Sequence, residues 1–363
     1  MTNIKTKSSI RKIIKRTVIS VLSFIMFIDI TLVTLLSIIA NGPSTTIRDM
    51  LVLSAMQASA TKWVPGLFLS DELVKQIVEN SYVDSELTID TENYGKDESD
   101  DENDFSSDEL TDGLKYITAN YNNFKAYIML VPDPSRVYVG TSSEDYQNAT
   151  KGAYIFDMAK KTDSIAMING GEFYDRAGSG TGARPIGLTY SNGECVWNDG
   201  AKRTFIGIDN NNRLVVSEGM TKQKADSIGI RDGVSFQTGN VLIDSDSSGV
   251  HIYYKSGNTG AAQRAAIGQK ADGTFIFVVT DGRTASSIGA NYNEIIDIMV
   301  SYGAVTAAML DGGSSAMMYY EDFYDKYEVD KTKLDKYQLQ GMVNNYKAFS
   351  PPRNLPTFFC VKR

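Results

Sequence analysis

Histidine and cysteine are nearly absent from this chain: His251 stands alone, and Cys195 and Cys360 are the only thiols. That excludes a His-rich zinc centre, a four-cysteine zinc centre and an H-E-x-x-H metalloprotease, and it leaves Ser-His-Asp catalysis only His251 to use. His251 lies in Val250-His251-Ile252-Tyr253-Tyr254, flanked by apolar residues, and reads as a strand histidine rather than a catalytic base. The two cysteines suit a disulfide in an oxidising compartment or, for Cys360 between Phe359 and Val361, a buried free thiol. A nucleotide-binding loop is also missing, because Gly178-Ser179-Gly180-Thr181-Gly182 has neither the G-x-G-x-x-G nor the P-loop spacing and no Lys follows it. Residues 1–16 hold six Lys or Arg and no acid, whereas residues 84–109 hold 12 Asp or Glu against one Lys. With those two segments set aside the remainder is almost balanced, so no basic face for nucleic acid is expected. Carboxylates, Arg, Asn and hydroxyls remain to carry chemistry.

What is present falls into a sequence of unlike segments. Residues 1–16 form a basic tail expected in the cytoplasm, and residues 17–40 are almost continuously apolar, long enough for a membrane helix. The length favours a signal anchor over a cleaved signal peptide, although Ala58-Ser59-Ala60 lies further on, and the domain beyond is expected outside the cell membrane. Asp29 within the apolar run is given no role. Residues 41–83 show helical spacing broken at Pro65-Gly66 and predict a helical stalk. Residues 84–111 read as an acidic, disordered linker, since they lack the alternating Asp and central Gly of an EF-hand loop. From 112 to 363 short apolar runs alternate with Gly, Asn and Asp turns. This predicts an α+β domain with a strand-rich mixed sheet core and a few helices, notably Ala153 to Lys161 and Asn291 to Tyr302.

Two turns stand out, each placed directly after an apolar run: Asn169-Gly170-Gly171-Glu172-Phe173-Tyr174-Asp175 and Asp311-Gly312-Gly313-Ser314-Ser315. Polar groups at strand tips, with glycines admitting a ligand to the backbone, make a site. The plainer alternative is a tight turn in which Asp or Asn bonds its own backbone.

These turns, in order with Pro185-Ile186-Gly187-Leu188-Thr189-Tyr190-Ser191-Asn192-Gly193-Glu194, Arg264-Ala265-Ala266-Ile267-Gly268, Thr280-Asp281-Gly282-Arg283 and the Pro352-Arg353-Asn354-Leu355-Pro356 approach to a last strand, resemble the phosphodiester glycosidase family, in its bacterial membrane-anchored branch. The resemblance implies hydrolysis of the sugar C1–phosphate bond in a glycosyl phosphodiester or cell-envelope glycan. Such a reaction needs a carboxylate acting on an oxocarbenium-like transition state and a cation for the phosphate.

On that chemistry Asp281 and Asp311 are the leading catalytic carboxylates and Glu172 the third, although Glu172 stands where relatives often carry a small residue. Arg184, Arg264 and Arg283 are phosphate candidates because the guanidinium fork donates two parallel bonds. Asn169 and Gly170 would meet the sugar, and Ser314 with the Gly312 and Gly313 amides would form an anion-binding turn. For Asp281 a hairpin Asp-Gly turn, and for Arg264 a structural salt bridge, are the alternatives. No cofactor is required; an oxygen-only calcium site from Asp281, Asp311 and Glu172 stays open. The rival function is a non-catalytic glycan or teichoic-acid binding ectodomain.

Overall fold

The computed structural model describes residues 2–56, 61–80, 84–89, 110–121, 123–175, 180–255, 260–282, 284, 287–345 and 352–363, without the side chains of residues 2–14, 46, 79, 80, 84–86 and 89. Three helices come first: α1 (Thr2–Asn41), α2 (Thr45–Met56) and α3 (Asp71–Asn80). Lys15–Asn41 of α1 has a mean hydropathy of 2.4 and is exposed over most of its length, with Ala40 buried near its end, long and apolar enough to cross a membrane. α2 and α3 pack on each other through Val52, Leu53 and Ile77, and α2 also lies against the domain. At Gly260, with φ +74°, an added Cβ would sit 2.7 Å from the Ser54 backbone nitrogen, so only glycine admits the helix there.

The strands begin with β1 (Asp84–Ile89), β2 (Lys115–Asn120), β3 (Lys125–Val131) and β4 (Val137–Thr141). After α4 (Ile155–Thr162) come β5 (Ser164–Asn169), β6 (Leu188–Ser191), β7 (Glu194–Asn198), β8 (Thr204–Asp209) and β9 (Leu214–Glu218). Beyond α5 (Lys222–Ser227) lie β10 (Ile230–Phe236), β11 (Val241–Asp246), β12 (Gly249–Lys255), β13 (Ala265–Lys270) and β14 (Phe275–Thr280). Then follow α6 (Tyr292–Ser301), β15 (Ala304–Met309), β16 (Met318–Tyr320), α7 (Phe323–Lys326) and β17 (Thr357–Lys362). The class is α+β and strand-rich, as the turn-punctuated pattern predicts. The mixed core resolves into three sheets, ordered β1-β12-β11-β15-β13-β14-β3-β2, β7-β6-β10-β8-β9 and β16-β5-β17-β4. Every registered pair is antiparallel.

One difference from the sequence reading is β1, which runs through the start of the predicted acidic linker and pairs Asp84 to Ile89 with Lys255 to Val250. In that stretch Glu86, Thr88 and the apolar Leu87 and Ile89 alternate, a strand pattern hidden by the carboxylates around it. Residues 90–109 and Ala58-Ser59-Ala60 lie outside the described residues.

β5 and β17 show why the four-stranded sheet is buried on both faces. Successive strand side chains point to opposite sides. Thus Ala166, Ile168, Phe359 and Val361 enter the main core. Met167, Phe358 and Cys360 face a second core beneath α4, filled by Ile155 and Met158. α6 starts in a capping box between Asn291 and Glu294 and buries Ile295, Ile296, Ile298 and Met299 on its inner face, packing on β12 and β15. Cys195 and Cys360 are both free, and burial pushes the Cys360 thiol up to about 12. His251, on β12, meets Thr88 of β1 across the sheet at 3.1 Å and Asp246 at 3.0 Å.

Candidate active site

The two conspicuous turns converge. β5 ends in one sheet and β15 in another, and the Asp311 amide donates to the Gly170 carbonyl at 3.2 Å. Asn169, fully buried at the tip of β5, clasps the pair: its Nδ2 donates to the Asp311 carbonyl at 2.6 Å and its Oδ1 accepts from the Met317 amide at 3.1 Å. These backbone bonds engage the Asn169 amide group and fasten the two turns together. The glycines beside it serve close packing. A Cβ on Gly170 would sit 2.4 Å from Thr357 Oγ1, and one on Gly171 2.2 Å from the Ser235 carbonyl oxygen. Ser235 lies on β10, so the third sheet also reaches the turn, and the Glu172 amide donates to the same Ser235 carbonyl at 2.7 Å.

Asp311 is the chemically distinctive group. Burial pushes its carboxyl up to about 7; the Ser315 hydroxyl pulls against this, Glu172 adds to it, and Arg353 and Asp175 act in opposite senses more weakly. A carboxyl poised near neutrality in a cleft is suited to proton transfer. Glu172 is paired with Arg203, Oε2 to Nε at 2.5 Å. Asp175 accepts from Arg353 Nη1 at 2.7 Å and from the Gly180 amide at 2.7 Å, while the Arg353 guanidinium stacks 4.9 Å from the Phe173 ring centroid.

Asp311, Gly312 and Gly313 line a cavity of about 210 Å³ together with Arg264, Lys255 and Tyr292. Arg264 is 4% exposed; it donates Nε to the Ala290 carbonyl and Nη2 to the Gly260 carbonyl and stacks 4.9 Å from the Tyr292 centroid. Lys255, at the end of β12, is 3% exposed, and its backbone amide is fixed by Asn293 Oδ1 at 2.9 Å. Lys62, from the chain between α2 and α3, lines the same cavity. Two buried cations beside a carboxyl that burial keeps protonatable can receive an anionic ligand.

Other sequence candidates are placed differently. Asp281 is buried, accepting from Tyr127 Oη at 2.9 Å and from Asn345 N and Nδ2 at 3.1 and 2.8 Å. Burial raises its carboxyl while the Asn345 and Tyr127 bonds pull it down. It is not among the residues lining the Asp311 cavity, and its bonds fasten Asn345 to the end of β14. Arg184 is exposed and donates to the Gln147 carbonyl at 2.6 Å. The Gly313 amide, at φ +60°, donates to the Gln263 carbonyl at 2.8 Å. Arg283 and Ser179 lie outside the described residues. Among the described residues no group of three or more His, Cys, Asp or Glu is placed to hold a metal ion, so Asp281, Asp311 and Glu172 do not assemble the calcium set.

Sequence reasoning missed Arg203, Lys255 and Lys62. Each stands in a segment with no turn or motif to mark it, and Lys62 was read as stalk. Arg353 lay inside a quoted motif and lacked only a partner to give it a role.

The sequence profile of the phosphodiester glycosidases matches residues 162–362, which include both turns, Arg264 and β17. The SPβ prophage-derived uncharacterized protein YomE of Bacillus subtilis is 24% identical over 208 residues, a stretch covering 53% of this chain and 28% of that protein. Among solved structures, the catalytic domain of zebrafish N-acetylglucosamine-1-phosphodiester α-N-acetylglucosaminidase, auto-inhibited by its pro-peptide, is 15% identical with a TM-score of 0.52, covering 77% of this chain and 88% of that one. A putative exported protein of Burkholderia pseudomallei is 13% identical with a TM-score of 0.45, covering 68% and 75%. The zebrafish likeness is one of fold, whereas the profile takes in more than half of the residues and the strand tips that carry the site; the chain belongs to the phosphodiester glycosidase family.

Proposed function

We propose that this protein hydrolyses the sugar C1–phosphate bond of glycosyl-1-phosphodiesters at the outer face of a bacterial cell membrane. The observation that carries the reading is the Asp311 carboxyl, raised to about 7, in a cavity shared with Arg264 and Lys255. A phosphate leaves as a weak base and needs little protonation, so the proton that must move is that of the attacking water. Asp311, as carboxylate, takes it while C1–O(phosphate) breaks and C1–O(water) forms. Arg264 and Lys255 hold the phosphate oxygens through the charge build-up on the leaving group. Glu172, itself paired with Arg203, adds through its charge to the upward shift of the Asp311 carboxyl.

The six cations that precede the apolar part of α1 favour an N-terminus in the cytoplasm, and the length of the apolar run favours an uncleaved anchor. The relevant substrates are then envelope polymers or exopolysaccharide precursors bearing glycosyl phosphodiesters. The test is release of free sugar from a panel of sugar-1-phosphodiesters by the full chain in nanodiscs, beside Asp311→Asn and Asp281→Asn. Turnover lost with Asp311→Asn and kept in a folded Asp281→Asn supports the reading. Binding of the diesters without turnover by the unsubstituted chain would replace it with the glycan-binding ectodomain.

A further inference from the structure

Four charged side chains line the Asp311 cavity, and they differ in depth. Arg264 and Lys255 lie buried beside Asp311, whereas Lys62, from the chain between α2 and α3, is exposed and stands where the hollow opens to solvent. With Asp311 ionised as the base, the inner three carry one net positive charge, which the single negative charge of a phosphodiester cancels. Lys62 is then a cation in excess. Its ammonium makes no hydrogen bond or ion pair among the described residues. It also lies outside residues 162–362, the stretch matched by the family profile, so the stalk brings to the cavity a charge that the family's shared domain does not.

The size of the cavity decides what passes Lys62. At about 210 Å³ it is smaller than the about 300–1,000 Å³ that encloses a whole small ligand, so it holds one half of a diester while the other half leaves by the mouth. Met56, Lys62 and Val78 line both the cavity and a groove of about 500 Å³ along the stalk, which makes that groove the way out. Its other charged residues, Asp71 and Lys75, are opposite in sign, so the Lys62 ammonium is the net charge met by the emerging half. A Lys ammonium binds phosphate as a compact point charge. We propose that the substrate carries a second phosphate, on the aglycone beyond the scissile phosphodiester, and that Lys62 of the stalk binds it and sets the preference for such substrates. This rests on the hydrolase reading above and narrows it, from a sugar-1-phosphodiester of any alcohol to one whose alcohol is itself a phosphate ester, as in a polymer with a phosphate in every repeat. The bond broken is the same: water and the diester give the free sugar and an aglycone with a phosphate at each end.

The test uses the full chain in phosphatidylcholine nanodiscs and two diesters of the same sugar-1-phosphate, one with a 3-hydroxypropyl and one with a 3-phosphopropyl aglycone. The kcat/KM for each is measured with the unsubstituted chain, Lys62→Met and Lys62→Arg, and the Kd for each with the same substitutions in an Asp311→Asn background. The expected result is a preference for the phosphopropyl diester of about fivefold, in kcat/KM and in Kd, that falls below about twofold in Lys62→Met and is kept in Lys62→Arg. No preference in the unsubstituted chain, or one that survives Lys62→Met, overturns the assignment, while turnover of the hydroxypropyl diester still stands as evidence for the hydrolase. An equal loss on both diesters in Lys62→Met also overturns it and makes Lys62 a ligand of the scissile phosphate. If neither diester is cleaved, the hydrolase reading fails and Kd alone decides: a preference that Lys62→Met removes upholds the contact with the second phosphate, and equal or absent binding overturns it. Lys62 is exposed and apart from Val52, Leu53 and Ile77, which join α2 to α3. Each preference is moreover a ratio within one variant, so a change in the amount of folded protein cancels from it.

Discussion

At Asp311, a carboxyl raised to about 7 in the folded chain must be ionised to act as a base, so kcat/KM is expected to climb with pH and level off above about 7. A profile that instead falls through that pH makes Asp311 the acid. The same shift has a cost in stability, and its sign is opposite to that of a salt-bridged carboxylate. Because the folded pKa lies above the unfolded one, the penalty is absent in acid and grows as pH rises from the ordinary carboxylate range through about 7. Asp311→Asn is therefore expected to lower kcat roughly 10²–10⁴-fold while raising Tm at pH 8 and leaving it nearly unchanged at pH 4. Thermal melts at the two pH values check this. Asp311 was legible as a carboxylate between an apolar run and two glycines. Lys255 was not, because a Lys at the end of an alternating strand looks like a solvated tip until β1 and α6 are seen to bury it.

Between elements, the site depends on how tightly three sheets approach one turn. Gly171→Ala would drive a methyl group into the Ser235 carbonyl on β10, and the expected cost is about 1–3 kcal/mol or more, read from denaturant midpoints. Asn169→Ala removes the clasp between the turns and leaves the buried Met317 amide unpaired, at about 1–3 kcal/mol, with kcat falling further than Tm alone would explain. An Asn169 that bonded a sugar would instead raise KM with stability intact. The glycines of both turns were visible in the sequence as a reason for closeness; whether a ligand or a neighbouring strand came close was not. β10 and β11 went unread for a related cause. Residues 230–246 mix Asp, Ser and Gly into short apolar runs, and only pairing across the sheets makes strands of them.

Across the molecule, the cations that line the Asp311 cavity sit on different bodies of structure, with Arg264 and Lys255 in the domain and Lys62 on the stalk. Raising salt from 50 to 500 mM is expected to increase KM severalfold for a charged diester with kcat little changed, Lys62 being the exposed and most screened of the three. Steady-state kinetics across the salt series decide it. The order of segments, from basic tail and apolar helix through stalk to strand-rich domain, could be read from composition, because charge and hydropathy change abruptly at each junction. The docking of the stalk on the domain could not, since a helix that covers a site has the same apolar periodicity as one that covers nothing. β17 carries a further consequence. It pairs with both β5 and β4, and its Thr357 carbonyl accepts from the Gly170 amide, so one fastening of the turn after β5 waits for a segment nearly two hundred positions later. A chain that emerges in the order of its sequence would leave that corner open until the final strand slides between the two that have been waiting for it.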